Sequence, residues 1–81
     1  MPRYFFDTYD GENAHSDEAG QELPDNDTAK QEAQKALPDM AKDALPDGNY
    51  RTFVVNVRDE EGQTVVRAAL SLVMAEGPFD D

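Results

Sequence analysis

The sequence contains no cysteine and a single histidine, His15. Without thiols the chain forms no disulfide, holds no thiolate-bound metal and has no cysteine nucleophile. A zinc site needs several nitrogen or sulfur ligands, and one imidazole does not supply them. The composition therefore suggests neither redox chemistry nor a zinc centre, and it suits a reducing cytosol.

Long apolar runs are missing as well. No stretch approaches the roughly 20 residues of a membrane-spanning helix. The first residues, Met1 to Tyr4, lead into a strand pattern without the apolar segment of a signal peptide. We therefore expect a cytoplasmic protein that does not contact a membrane. The 81 residues allow one domain with a thin core, in which a deep enzyme pocket is hard to accommodate.

Basic residues are scarce. The chain has 7 lysines and arginines against 18 acids, which gives a net charge of -11. This charge repels a nucleic-acid backbone or an anionic membrane, so we expect no direct contact with nucleic acid. The simplest interpretation is a well-solvated surface. The alternative is an acidic regulatory mimic that binds a basic nucleic-acid-binding protein.

The apolar residues are organised around one hairpin, from Tyr50 to Met74, with its turn at Asp59 to Gly62. Both arms show the period of two that is typical of strands. Their core candidates are Phe53, Val55 and Val57 in the first arm and Val66, Ala68, Leu70, Leu72 and Met74 in the second. Residues 66–75 are also rich in helix formers. We prefer a strand through at least Leu70, because the first arm needs a partner.

The N-terminal part of the chain predicts a second hairpin. A strand is expected at residues 3–9, with aromatic side chains on both of its faces. Asp10-Gly11 is a reversing dipeptide. A short strand follows at residues 14–16, and residues 21–23 could extend it.

One helix is predicted from Thr28 onward. Its apolar residues recur at spacings of three and four: Ala29, Ala33, Ala36, Leu37, Met40, Ala44 and Leu45. A polar residue at 25–27 caps its start, and the segment 46–48, Pro-Asp-Gly, ends it. Pro38 falls inside the stripe, whose phase continues on both sides. We therefore expect one kinked helix and not two.

These elements predict an α+β two-layer sandwich in the order β-β-α-β-β. The sheet has three to four mostly antiparallel strands in the order 2-1-3-4, and the helix covers one face. Residues 1–76 form a single small domain. Residues 77–81 are expected to be a flexible acidic tail.

Several short motifs follow one another along most of the chain. They are Arg3-Tyr4-Phe5-Phe6, an acidic turn with Gly11, the segment from Asp17 to Asp25, the Ala-rich helix and Asp59-Glu60-Glu61-Gly62. The chain resembles a family of small stand-alone bacterial proteins classed as a domain of unknown function. The resemblance implies two hairpins and one helix, with no established activity or cofactor and no catalytic residues to transfer. Two features depart from the family: Pro38 lies in the helix, and the basic or His residue common near Asp7 is absent.

The familiar catalytic and metal-binding patterns are not met. His15, Ser16 and Asp17 are consecutive, and neighbouring strand residues point to opposite faces, so they do not form a triad. The segments 25–27 and 43–48 lack the spacing of a calcium loop. No glycine-rich phosphate loop occurs, and no carboxylate pair is singled out for acid-base work. We therefore expect a protein that is not an enzyme, with no catalytic, cofactor-binding or metal-binding residues.

The feature left over is apolar area on the sheet face that the helix does not cover. The predicted interface residues are Phe5, Tyr9, Val54, Val65, Ala69 and Val73. One helix covers only one face of a sheet, so this area indicates a homodimer or an unknown protein partner. Alternatively, Phe79 of the tail and arginine stems hide most of it.

Two other hypotheses stay open. The mimic would use acids in the turns: Asp10, Asp17, Glu18, Asp59, Glu60 and Glu61. Its binding should weaken steeply with salt, whereas a contact through the sheet face should not. A small enzyme or ligand carrier would instead need a concave pocket with convergent polar groups, such as one lined by His15.

Overall fold

The computed structural model describes residues 1–43 and 50–80. Its elements are β1 (Arg3–Tyr9), β2 (Ala14–His15), β3 (Gln21–Glu22), α1 (Asn26–Asp43), β4 (Tyr50–Arg58) and β5 (Thr64–Val73). This architecture confirms the predicted α+β fold. The last two residues of the predicted apolar stripe, Ala44 and Leu45, and the helix stop at 46–48 lie outside the described residues. None of the described helical residues forms a segment long and apolar enough to cross a membrane.

The sheet is antiparallel and has the order β2-β1-β4-β5. This is the predicted order, with the central strands β1 and β4 joined from Phe5 opposite Arg58 to Tyr9 opposite Val54. The predicted second strand is split. β2 pairs with the end of β1, and β3 pairs with its beginning. The intervening residues 16–20 leave the strand edge.

The hairpin of β4 and β5 contains an irregularity that the alternating pattern did not predict. Val57 lies opposite Val66, but Arg58 lies opposite Thr64. Val65 is therefore an extra residue in a β-bulge, and it packs against the core. This corrects its predicted position on the helix-free face. β5 otherwise continues as a strand to Val73, because β4 pairs with it along its whole length.

The turn between these strands is held by Asp59. Its Oδ1 atom accepts hydrogen bonds from the amides of Glu61 and Gln63, both at 2.9 Å. Gly62 has a φ of 83°, which only glycine adopts without strain. The acidic turn thus has a structural role in closing the hairpin.

Helix α1 begins where the sequence predicts. Asp25 is the cap, since its Oδ1 atom accepts the amide of Thr28 at 2.8 Å. The helix continues through Pro38, which lies on its exposed side. Gln34, whose carbonyl loses its helical partner at Pro38, is also an exposed residue.

The core lies between α1 and the sheet. Its buried members are Tyr4, Leu23, Ala29, Ala33, Leu37, Phe53, Val55 and Val57. The small side chains of Ala29 and Ala33 let the helix approach the strands closely. The Tyr4 hydroxyl donates to Asn26 Oδ1 at 2.8 Å, which links β1 to the start of the helix. The core thus uses one face of β1 and β4, and leaves the other face without a covering helix.

Candidate interaction surface on the open sheet face

The open face of the sheet is the side away from α1. The register places on it Phe5, Asp7 and Tyr9 of β1, Val54, Asn56 and Arg58 of β4, and Arg67, Ala69 and Val73 of β5. Strand alternation explains this set, since the residues between them form the core. The face has two halves of different chemistry.

The half near Phe5 is covered by a charged network. Arg58 donates from Nε to Asp7 Oδ2 at 2.6 Å and from Nη2 to Asp7 Oδ1 at 3.1 Å. The Arg58 guanidinium also lies over the Phe5 ring, 5.1 Å from its centroid. Both charged side chains are less than one-third exposed, at 24% for Asp7 and 30% for Arg58. The pair therefore shields Phe5 on the open face.

Residues 16–20 complete this cover. The Asp17 amide donates to Asp7 Oδ1 at 2.9 Å, and Arg58 Nη2 donates to the Asp17 carbonyl at 2.9 Å. In turn, Asp17 Oδ2 accepts the amide of Phe6 at 3.0 Å. At Gly20 an added Cβ would lie 2.8 Å from the Phe5 ring. Phe5, which the sequence predicts as an interface residue, is thus half-buried against residues of its own chain.

The ionisation of this network is fixed by its hydrogen bonds. The Arg58 guanidinium holds the pKa of Asp7 below its ordinary value, and the Asp17 amide adds to this effect. The amides of Phe6 and Gly20 lower the pKa of Asp17. The ion pair with Asp7 raises the pKa of Arg58. Both carboxylates therefore stay charged at neutral pH and are poorly suited to donate protons.

The other half of the face is open and largely apolar, with one polar pair, Thr52 and Ser71, whose hydroxyl oxygens are 3.2 Å apart. Tyr9, Val54 and Ala69 form one row across the three strands, and Tyr50 lies opposite Val73 farther along. These five residues are named the distal patch. Tyr9 is 42% exposed, Tyr50 68% and Val73 67%. The distal patch thus contains four of the predicted interface residues, together with Tyr50.

A groove of about 360 Å³ runs between this patch and β2. Tyr9, Val54 and Asn56 line its floor, and His15 and Ser16 line its wall. A second cleft, of about 400 Å³, lies between Tyr9 and Tyr50 and includes Glu12 and Arg51. Tyr9 borders both depressions, so it is the central side chain of this half of the face.

The groove brings His15, Ser16 and Asp7 together, which the enzyme hypothesis requires. Their arrangement does not suit a triad. Ser16 Oγ lies 3.5 Å from Asp7 Oδ1, so the serine contacts the carboxylate with no imidazole between them. Asp7 is also committed to Arg58. Among the described residues, no group of three metal-ligating side chains is close enough to hold an ion.

Several of the acids predicted to form the mimic surface stabilise turns in this fold. Asp10 Oδ1 accepts the amides of Glu12 at 2.9 Å and Asn13 at 2.7 Å, which closes the first turn. Asp17 and Asp59 act in the same way in their own turns. Three of the acids thus stabilise turns. Asp17 and Asp59 lie near the start of β1, where Arg3 contacts both Ala19 and Glu60, whereas Asp10 follows the end of β1.

Sequence comparison places these features in a family. Residues 3–71 match the model described as Domain of unknown function (DUF6894). The chain belongs to the DUF6894 family. No curated protein and no solved structure matches it. The DUF6894 match spans the charged network and most of the distal patch, whereas Val73 and the tail lie beyond it.

Sequence reasoning missed Tyr50 and the charged network for different reasons. Tyr50 and Val54 share one face of β4 by strand alternation, and this pattern in the sequence could have identified Tyr50 as a residue of the open face. Asp7 and Arg58 are 51 residues apart, and nothing local links them. Their contact follows only from the register of β1 with β4.

Proposed function

We propose that this DUF6894 protein is a non-enzymatic interaction module that binds a protein partner through the distal patch. The observation that carries this proposal is the row Tyr9–Val54–Ala69 beside the exposed pair of Tyr50 and Val73. The polar pair Thr52 and Ser71 lies between the row and this pair. Clustered apolar side chains on a sheet face without a covering layer are typical of an association surface. Tyrosine is also among the residues that contribute most to binding at interfaces.

The energetics of the patch are compatible with specific binding. Burying the exposed part of each large side chain contributes on the order of 1–3 kcal/mol, before the entropic costs of association are subtracted. Three such side chains are exposed: Tyr9, Tyr50 and Val73. The two depressions beside Tyr9 offer places for protruding partner side chains. We therefore expect the patch to act as one contact area centred on Tyr9.

The charge around the patch defines the partner's chemistry. Glu12 is exposed at the second cleft, whereas Arg51 nearby is held by the Asp10 carbonyl at 2.6 Å. The chain as a whole carries a net charge of -11. A partner that presents apolar side chains flanked by lysine or arginine complements both features. Binding of a second copy to the same face is an outcome that the experiment distinguishes.

Regulatory mimicry is the less favoured alternative. Three of its predicted acids, Asp10, Asp17 and Asp59, are engaged by turn amides, and Asp10 lies beyond the opposite end of β1 from the rest. Salt separates the two functions. Binding through the distal patch should weaken only moderately between low and high ionic strength, because salt screens the basic groups around it but not its apolar contacts, whereas binding by mimicry should weaken steeply.

Site-specific photo-cross-linking tests the proposal and identifies the partner. A photoreactive residue in place of Val54 should give one recurring cross-linked protein, because position 54 lies in the middle of the patch. The matched control places the same group at Gln34, which is exposed on the helix away from the sheet. The control should give no such product. Cross-linking to a second copy identifies self-association instead.

Competition with unlabelled protein, wild-type or mutated, tests whether the cross-link is specific to the patch. An excess of the unmodified protein should abolish the cross-link, and the Tyr9→Ser/Val54→Ser variant should not. Equal cross-linking from positions 54 and 34, or equal competition by the variant, would contradict the proposal.

A further inference from the structure

The outer edge of β5 is a second surface, and the open face does not include it. β5 is 10 residues long and pairs with β4 along one side. Within residues 1–43 and 50–80, no strand pairs with its other side. The opposite edge of the sheet is covered by two strands of two residues each, β2 and β3. One edge of the sheet is thus covered by short strands, whereas the described part of the chain leaves the outer edge of β5 unpaired.

β5 lacks the features that protect edge strands from pairing with another chain. Such strands usually carry lysine, proline or inward-pointing charges. Between Thr64 and Val73 there is no proline, no lysine and no acid, and Arg67 is the sole charge. The bulge at Val65 twists only the beginning of the strand. The remaining residues present a regular backbone edge.

The side chains at this edge are apolar and incompletely covered. Leu70 lies opposite Phe53, on the side of the sheet that α1 covers, yet it is 39% exposed. Leu72 and Val66, on the same side, are half-buried. The helix thus leaves the outer margin of the core accessible along β5.

We propose that two copies of the chain associate by antiparallel pairing of β5 with β5, which joins the two sheets into one. A two-fold axis normal to the sheet produces this arrangement and keeps both helices on the same side. With the axis at Ala69, Val66 of one copy lies opposite Leu72 of the other, and Arg67 lies opposite Ser71. The core margins then meet, and no like charges are directly opposed.

Charge favours this edge for self-association. The chain carries a net charge of -11, so most surfaces of two copies repel each other. β5 is the exception, since its ten residues contain one arginine and no acid. The repulsion that remains comes from acids beyond the strand ends, and salt screens it. Self-association should therefore strengthen as the salt concentration rises.

Sedimentation equilibrium tests the proposal on the full chain. Between roughly 1 μM and 1 mM, the mass should rise from that of one chain towards that of two, and the rise should shift to lower concentration in high salt. Leu70→Lys introduces a charge at the joined edge and should raise the dimer dissociation constant at least about tenfold. Gln34→Lys makes the same charge change on the exposed side of α1 and should leave the constant unchanged.

Amide hydrogen exchange supplies a readout specific to the edge. In an antiparallel pair, alternate amides of β5 bond to β4, and the others point outwards. The outward amides should be protected in the wild type at high concentration and exchange rapidly in Leu70→Lys, while the β4-bonded amides stay protected and show that the variant is folded. A single-chain mass throughout the range overturns the proposal. So does a dimer whose outward β5 amides exchange rapidly.

Discussion

At the scale of single residues, Asp7 connects the strand β1 to both Arg58 and the segment 16–20. It receives two donations from Arg58 and one from the Asp17 amide. Hydrogen bonds to a charged group contribute more to stability than neutral ones, and removing one partner leaves the other incompletely satisfied. Asp7 is therefore the polar residue whose loss should affect the open face most.

Replacing Asp7 by Asn should lower the free energy of unfolding by about 1–3 kcal/mol. The uncharged amide cannot form the ion pair, and the Arg58 guanidinium loses its partner. Urea denaturation at neutral pH measures the change. The control Asp39→Asn removes an exposed helix carboxylate and should have almost no effect. Equal effects of the two variants would show that the network does not stabilise the fold.

The stability difference between the wild type and Asp7→Asn should also depend on pH. The pKa of Asp7 is below its ordinary value of 3.8 in the folded protein, so its stabilisation is complete above that value. The stabilisation is lost as the pH falls through the lowered folded pKa. The stability difference between the wild type and Asp7→Asn should therefore shrink on acidification below about pH 4. A difference that stays constant to the lowest pH would contradict this assignment.

Gly20 supports the same cover by its lack of a side chain. Its φ is 75°, and an added Cβ would lie 2.8 Å from the Phe5 ring. Gly62 has a similar φ, but no atom lies within 4 Å of its added Cβ. Both alanine variants pay the backbone strain of about 1 kcal/mol, and only Gly20→Ala adds a clash. We expect Gly20→Ala to be less stable than Gly62→Ala in urea denaturation, and the reverse order would be incompatible with residues 16–20 packing on Phe5.

At the scale of elements, alternation and helical spacing predicted most of the fold. The predicted strand β4 needed a neighbouring strand to pair with. For this reason β5 was predicted as a strand, although its residues include many helix formers. The bulge at Val65 was not predictable, because one extra residue changes the register without changing composition. The cover of residues 16–20 was also missed, since it depends on the contact of Asp7 with Arg58 across the sheet. These two features change where two of the predicted interface residues lie: Val65 packs against the core, and Phe5 is covered by residues of its own chain.

The helix supplies a prediction at this scale. Pro38 lacks the amide that would bond to the carbonyl of Gln34, yet α1 continues through it. Pro38→Ala should therefore stabilise the protein, by about 1–3 kcal/mol in the free energy of unfolding. Thermal unfolding followed by circular dichroism measures the effect. Lys35→Ala, at an exposed position of the same helix, should leave stability nearly unchanged. A destabilised Pro38→Ala variant would mean that the proline contributes to packing.

At the scale of the whole molecule, the helix α1 covers only part of the apolar surface of the sheet. The charged network protects half of the open face, and the distal patch and the outer edge of β5 stay accessible. The patch suits a partner with basic groups around an apolar centre, whereas the edge suits a second copy. Ala69 and Val73 belong to both surfaces, but the edge contact uses the β5 backbone and the helix side of the sheet, whereas the patch contact centres on Tyr9 and Val54. Leu70→Lys should therefore leave partner binding intact, and Tyr9→Ser/Val54→Ser should leave dimerisation intact.

The most direct test of the central claim uses the partner that cross-linking identifies, purified in its free form. Calorimetric titration measures its affinity for the wild type and for Tyr9→Ser/Val54→Ser. The account predicts a dissociation constant at least about tenfold higher for the variant, because two central apolar side chains of the distal patch are lost. It also predicts only a moderate weakening of binding as the salt concentration rises. An unchanged dissociation constant for the folded variant would show that the helix-free face is not the binding surface.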